Sequence, residues 1–264
     1  MDQKQPAEAA KLFAHVAADY PTHKLAPEAA YRAASALYAA DQFADAAKGL
    51  LAFLDKNPKS DFTDDALYDL AWADLKLNKS DDKLAALSRL LKEFPESPFA
   101  PSAHFLLGEH AFDAKQYADA ATHYATCAQA AKGEELGKAL YKLAWSHYHA
   151  EKADDAAAAF ADLIAKAPDS PFVAEAHYLV GTLLQKQGNH ADALDAFRKS
   201  LDAKPAAKYE ERALYQIGQC QQAAGKWAEA LKQYKATLDK FPEGEMKLDA
   251  LYGVGLASQH LAAY

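Results

Sequence analysis

Apolar residues in this chain recur with the pitch of a helix, in stretches that are interrupted on a fixed beat. Between Ala191 and Ala203, Ala193, Phe197 and Leu201 fall at i, i+4 and i+8 and share one face. Equivalent pairs stand at Ala46 with Leu50, Ala120 with Tyr124, Ala156 with Phe160 and Ala230 with Tyr234, whereas Lys83 breaks the series. Another helical stretch precedes each of these, separated from it by a short polar break such as DQ at 41–42, NKSDD at 78–82 or QGN at 187–189. A proline closes each pair. Two segments of about 13 to 15 residues joined in this way predict an antiparallel helix pair.

The pair repeats. Small residues that follow an aromatic by three, namely Ala34, Ala71, Gly108, Ala144, Gly181, Gly218 and Gly255, are spaced by 37, 37, 36, 37, 37 and 37. Pro21, Pro58, Pro95, Pro168, Pro205 and Pro242 keep the same beat, and the absent member falls at Lys132, where Gly133 can end a helix instead. The text itself recurs, SPFAPSAHFLLG at 97–108 and SPFVAEAHYLVG at 170–181. Ser97-Pro98 and Ser170-Pro171 suit an N-cap followed by a first-turn proline. Nine residues before the small one stand Leu25, Phe62, Phe99, Phe172, Tyr209 and Met246, expected to pack across the joint between repeats. Glu135 is the exception, with Leu136 beside it.

The beat gives six complete pairs, at 25–58, 62–95, 99–132, 136–168, 172–205 and 209–242, with a lone second helix over 7–21 and a lone first helix over 246–264. The expectation is one all-α solenoid over 1–264. Such stacks normally end in capping units, so a chain that starts and stops in mid-repeat is expected to be a fragment of a longer one. Its uncapped ends would leave apolar surface exposed and favour self-association.

Composition supports helices: of 264 residues 51% are hydrophobic, much of that alanine, and the 11 Gly and 11 Pro are regularly placed. A formal charge of −8 without any Lys/Arg-rich run argues against nucleic acid or an anionic membrane surface as the partner, and favours a basic or apolar one. No stretch approaches the roughly 20 apolar residues of a membrane span. Cys127 and Cys220 lie three units apart, roughly 25 Å or more for helices packed at 8 to 10 Å, which is too far for a disulfide. Both read as structural thiols.

His147 and His149, in SHYHAEKADD, are the nearest approach to a metal motif among 10 histidines, but residues i and i+2 of a helix diverge. No metal or other cofactor is expected. Nor is catalysis, since the chain carries no Gly-rich phosphate loop, HExxH, GxSxG or CxxC.

The unit resembles the tetratricopeptide repeat, W-x2-L-G-x2-Y followed by A-x3-F and then P, best in AEAHYLVGTLLQKQGNHADALDAFRKSLDAKP at 174–205. Val180-Gly181, Ala193, Phe197 and Pro205 fall at the required offsets. Ala30, Leu67, His104, Leu140, His177, Leu214 and Leu251 replace the pattern's tryptophan, and His104 and His177 are expected to pack ring against ring within their helix pairs. The 37-residue period and the joints FPESPFA and APDSPFV look more like a subgroup of bacterial cell-envelope proteins, those accompanying the Tol-Pal system and the lipoprotein partner of the outer-membrane barrel assembly machine. That resemblance favours a periplasmic or cell-envelope location.

The resemblance implies a right-handed solenoid in which one face of each first helix lines a concave groove for peptide segments. Here that face reads Tyr31, Ser35, Tyr38; Tyr68, Trp72, Leu75; Phe105, Glu109, Phe112; and Tyr141, Trp145, Tyr148, then Tyr178, Thr182, Gln185 and Tyr215, Gln219, Gln222. The groove would be aromatic in its first four units and amide-rich in the next two. The aromatic three residues before each small one could equally pack one repeat on the next. The expected contacts are Tyr31, Tyr38, Tyr68, Trp72, Phe105, Glu109, Phe112, Tyr141, Trp145, Tyr148 and Tyr178. They define a non-enzymatic scaffold binding an apolar or basic peptide segment; the alternative is the substrate-presenting arm of a larger enzyme.

Overall fold

The computed structural model describes residues 4–263. Among them the regular elements are α-helices: α1 (Lys4–Asp19), α2 (Ala26–Ala39), α3 (Phe43–Lys56), α4 (Thr63–Lys76), α5 (Ser80–Glu93), α6 (Ala100–Asp113), α7 (Tyr117–Ala130), α8 (Gly133–His149), α9 (Ala153–Lys166), α10 (Val173–Lys186), α11 (His190–Asp202), α12 (Ala207–Ala223), α13 (Trp227–Lys240) and α14 (Lys247–Ala262). The chain forms two compact units, the first ending at His110 and the second beginning at Ala111, within α6. In the first, α1 packs on α2, α2 on α3, α3 on α4 and α4 on α5; in the second, neighbours pack in the same way from α7 to α14.

The helical stripe read from the sequence is the core. Leu50 and Leu87 in the first unit, and Tyr124, Phe160, Phe197 and Tyr234 in the second, are fully buried. Opposite them the beat demands small residues for a steric reason: a Cβ on Gly181 would stand 2.7 Å from the Phe197 ring, and one on Gly218 2.5 Å from the Tyr234 ring. Lys83, which breaks the apolar series, is nevertheless buried at its place in α5.

Each first helix turns into its partner through one left-handed residue, at Asp41, Asn78, Lys115, Glu151, Gly188 and Gly225. The joints before α8 and α12 differ from the sequence reading, which starts those pairs at 136 and 209. Both helices begin earlier, at Gly133 and Ala207, and run to 17 residues where α10 has 14. Elsewhere Ser60, Ser97 and Ser170 hold a turn by accepting the N–H of Phe62, Phe99 and Phe172. Gly133 and Ala207 have no hydroxyl for this, and the helix runs back into the joint.

Candidate functional site

In both units the aromatic ladder spans the joints. Tyr31 stacks on Phe62 with ring centroids 5.4 Å apart and Tyr68 on Phe99 at 4.7 Å; in the second unit Tyr141 stacks on Phe172 at 4.2 Å, and Tyr178 tilts against Tyr209 at 5.3 Å. Each pair joins a first helix to the residue that opens the next repeat. The hydroxyls are used as well. Tyr31 donates to Asp69 at 3.0 Å, while Tyr141 and Tyr209 both donate to Glu175 Oε1, at 2.8 and 2.5 Å. Burial first, and then these carboxylates, push all three tyrosines above the usual phenol range.

From α2 to α12 the residues one and four places beyond the small residue of each first helix are half-buried, apart from Leu75, which is exposed. In the first unit Trp72 is half-buried, edge-on to Tyr68 at 6.2 Å, and Tyr38 is edge-on to Phe43 at 5.2 Å. Phe105 and Glu109 are half-buried on α6. The charge on this face is acidic. Burial, followed by Asp64 and Asp69, raises the Asp65 carboxyl, and burial raises that of Asp69 against the Tyr31 hydrogen bond. Glu28, by contrast, is spent on Arg32 at 2.7 Å.

The second unit gathers its rings into a cluster. Phe112 lies edge-on to Tyr117 at 5.4 Å, Tyr117 stacks on His149 at 5.0 Å, and His149 stacks on Trp145 at 5.5 Å. Trp145 also meets Tyr148 at 5.3 Å and the core ring of Phe160 at 6.3 Å, which buries its indole nitrogen. Cations rim the cluster: the Lys142 ammonium sits 5.5 Å above the Phe112 ring, and that of Lys186 5.5 Å above the Tyr148 ring. Tyr148, His149, Leu183 and Lys186, with Glu151 and Ala153, line an open cleft of about 410 Å³. Next along come amides, Gln185 donating to Gln219 at 3.2 Å and Gln219 to the Tyr215 hydroxyl at 2.7 Å.

His149 and Lys186 were not among the expected contacts. Steps of four and seven from the ladder define the helical face, and both residues lie one position outside it. Their signal was the beat itself, which sets each immediately after a groove position, Tyr148 and Gln185. His177 does not pack ring against ring: it is half-buried beside Lys199 and Asp195, and burial, then Lys199, lowers its affinity for a proton. His147 is likewise lowered by burial, with Nδ1 3.9 Å from Asp155. Among the described residues no group of three His, Cys, Asp or Glu side chains is placed to hold a metal. No helix there is long and apolar enough to cross a membrane. Cys127 and Cys220 are free and buried, and burial pushes their thiols up to about 12 and about 11.

Comparison with protein families matches two models described as tetratricopeptide repeat, one over residues 68–135 and 141–208 and the other over 28–60 and 212–244. A search of curated proteins returns no match. Among solved structures, the C-terminal part of a TPR repeat-containing protein from Cytophaga hutchinsonii superposes with a TM-score of 0.65 at 12% identity, covering 94% of this chain and 95% of that one. YrrB, described as a TPR protein with an unusual peptide-binding site, gives 0.60 at 17% identity over 78% of this chain and 99% of its own. MamA gives 0.56 at 22% identity over 70% and 94%. At these identities the likeness is one of fold.

Proposed function

Because the chain belongs to the tetratricopeptide repeat family, we propose that it is a non-catalytic scaffold that captures a peptide segment of another protein on the outward faces of its first helices. The observation that carries this reading is the cluster around Trp145. Tyr148, His149 and Lys186 leave an aromatic cleft open to solvent, while Gln185 and Gln219 continue the same face with amides. Rings supply apolar contact area at small cost in side-chain entropy, and they anchor most high-affinity contacts. Amides in a row suit the N–H and C=O groups of an extended backbone. On the first unit Trp72 and Tyr38 are the anchors, and the Asp65 carboxylate, beside Asp64 and Asp69, attracts a basic residue of the partner. The ladder tyrosines form the floor, since their rings and hydroxyls already hold the joints. The peptide-binding site named for YrrB agrees with this use of the fold. The joints FPESPFA and APDSPFV are the support for placing the scaffold in the bacterial cell envelope.

Peptides selected from a displayed library on the intact chain provide the test. Tyr148→Ala and Trp72→Ala should each weaken binding roughly tenfold or more while the circular dichroism spectrum stays unchanged. Trp145→Ala needs a melting curve beside it, because that ring also touches Phe160. Selected peptides that bind all three variants as tightly as the parent would remove the reading.

A further inference from the structure

The second helices of the second unit open on Tyr117, Ala153, His190 and Trp227. The three rings are half-buried, whereas Ala153 is exposed. Tyr117 shows what a ring does at this place. It closes a triangle with two residues of first helices, edge-on to Phe112 at 5.4 Å and stacked on His149 at 5.0 Å, and Phe112 and His149 themselves lie 5.5 Å apart. Trp227 uses the same register, stacking on His260 at 4.1 Å.

One repeat on from Tyr117 the triangle lacks a corner. Tyr148 takes the place of Phe112 and Lys186 that of His149, again 5.5 Å apart, with the ammonium over the ring. The third corner is Ala153, whose methyl group leaves the space of a ring unfilled. That space belongs to the cleft of about 410 Å³ that the buried Leu183 also lines. We infer that this cleft is a socket for one aromatic side chain of the captured peptide, which enters beside Ala153, edge-on to Tyr148 and with its face under the Lys186 ammonium, as Tyr117 lies against Phe112 and His149. The inference rests on the peptide-capture reading and adds to it the residue type that the second unit selects.

Charge complementarity points to the same guest. Among the described residues Lys186 forms no ion pair, and its cation complements the negative face of a ring. Lys186 would repel a cationic guest, and Glu151, which also lines the cleft, an anionic one. A neutral ring meets neither penalty and buries apolar area against Tyr148 and Leu183. An aliphatic side chain could occupy the same space but would forgo the attraction between cation and ring.

Titration calorimetry with peptides selected from a displayed library on the intact chain tests the socket. The peptides should carry a Phe, Tyr or Trp whose replacement by leucine weakens binding roughly tenfold. Replacement by cyclohexylalanine, which keeps the bulk and removes the π face, should weaken it roughly two- to fivefold. Ala153→Tyr rebuilds the missing corner from within, so the melting temperature should hold or rise while the same peptides bind roughly tenfold or more weakly. Lys186→Met is the milder arm: it keeps the apolar stem and removes the charge, so the preference for phenylalanine over cyclohexylalanine should fall to about one. A ring that packed elsewhere on the chain would leave that preference unchanged. Peptides with no required ring, peptides that bind the A153Y chain as tightly as the parent, or a preference that K186M does not alter, each overturn the socket and leave peptide capture standing. An intact chain that selects no peptide overturns both.

Discussion

The joints of the first unit and those of the second keep the same beat with different chemistry. In the first, the amide that opens each repeat is held from two residues back: His23 Nδ1 accepts from Leu25 N–H at 3.2 Å, Ser60 Oγ from Phe62 at 3.3 Å and Ser97 Oγ from Phe99 at 3.2 Å. Ser97 also donates to Asp64 of the preceding repeat, at 2.7 Å. In the second unit Ser170 repeats the device at 3.4 Å. Before α14 the serine is replaced by Gly244, and the carboxylate at the Asp64 position is Glu211. One methylene longer, it reaches the backbone directly, accepting from Met246 N–H at 2.7 Å and Glu245 N–H at 3.1 Å. The carboxylate does what the serine does elsewhere. A repeat can therefore preserve its geometry while moving the capping group from one helix pair to the one before.

Breaking that substitution gives the largest expected effect. Glu211 is buried, and Glu211→Ala strands two N–H groups at a helix start, at a cost of about 2–3 kcal/mol in chemical denaturation. Ser97→Ala in the first unit should cost about 1 kcal/mol, because one amide and one neutral hydroxyl are involved. Gly244→Ser alone should also destabilise, since its Cβ would run into the Glu211 carboxylate. Combined with Glu211→Asp, it should recover most of the loss by rebuilding the Asp64–Ser97 arrangement of the first unit. Additive costs in the double variant would show that the two joints are not equivalent.

The same contrast explains what the sequence discloses and what it hides. The helix pairs are legible because burial is periodic: Phe197 and Tyr234 must fall on the same face of their helices as Ala193 and Ala230, and a small residue must face each ring. The early starts of α8 and α12 are not legible from the beat alone, because the cue is a missing hydroxyl at Gly133 and Ala207 rather than a residue that is present. Glu211 is hidden for another reason, as its partners lie 34 and 35 residues away. For the candidate site, spacing puts Tyr141, Trp145 and Tyr148 on one side of a helix but cannot distinguish a neighbouring repeat from solvent. The structure makes that distinction: Tyr141 lies on Phe172, while Tyr148 borders the cleft.

The turns within the helix pairs differ between the units as well, on a smaller scale. The first unit places short polar residues in the left-handed conformation, Asp41 at φ 60° and Asn78 at φ 57°. These side chains tolerate it best after glycine. The second unit uses Lys115 and Glu151, both at φ 60°, and then Gly188 and Gly225. Lys115→Gly and Glu151→Gly should each stabilise by about 0.5–1 kcal/mol, Asn78→Gly by little, and Gly225→Ala should destabilise by about 1 kcal/mol. Thermal melts of the four variants check the order. A stabilisation at Asn78 equal to that at Lys115 would mean that side-chain type does not set the cost of these turns.

The smallest effect concerns charge. Burial raises the carboxyls of Asp65 and Asp69 in the first unit above their ordinary value of 3.8, whereas Glu175 in the second holds two tyrosine hydroxyls. A carboxyl raised by folding is more easily protonated in the native state. Its favourable contribution is complete below the unfolded value and disappears as pH rises through the folded one, so at neutral pH these two aspartates work against the fold. Replacing them with asparagine removes that penalty, and the new amide at position 69 keeps a carbonyl for the Tyr31 hydroxyl. The gain should be a few tenths of a kcal/mol, because both side chains are only partly buried and solvent screens their repulsions. The D65N/D69N chain should exceed the parent in stability at pH 7, and the margin should shrink as pH falls toward 4. Glu175→Gln should do the opposite at neutral pH, weakening two charged hydrogen bonds at once. Urea titrations of both variants at pH 4 and pH 7 separate the cases, and a D65N/D69N margin that grows on acidification would reverse the sign assigned to these two carboxylates.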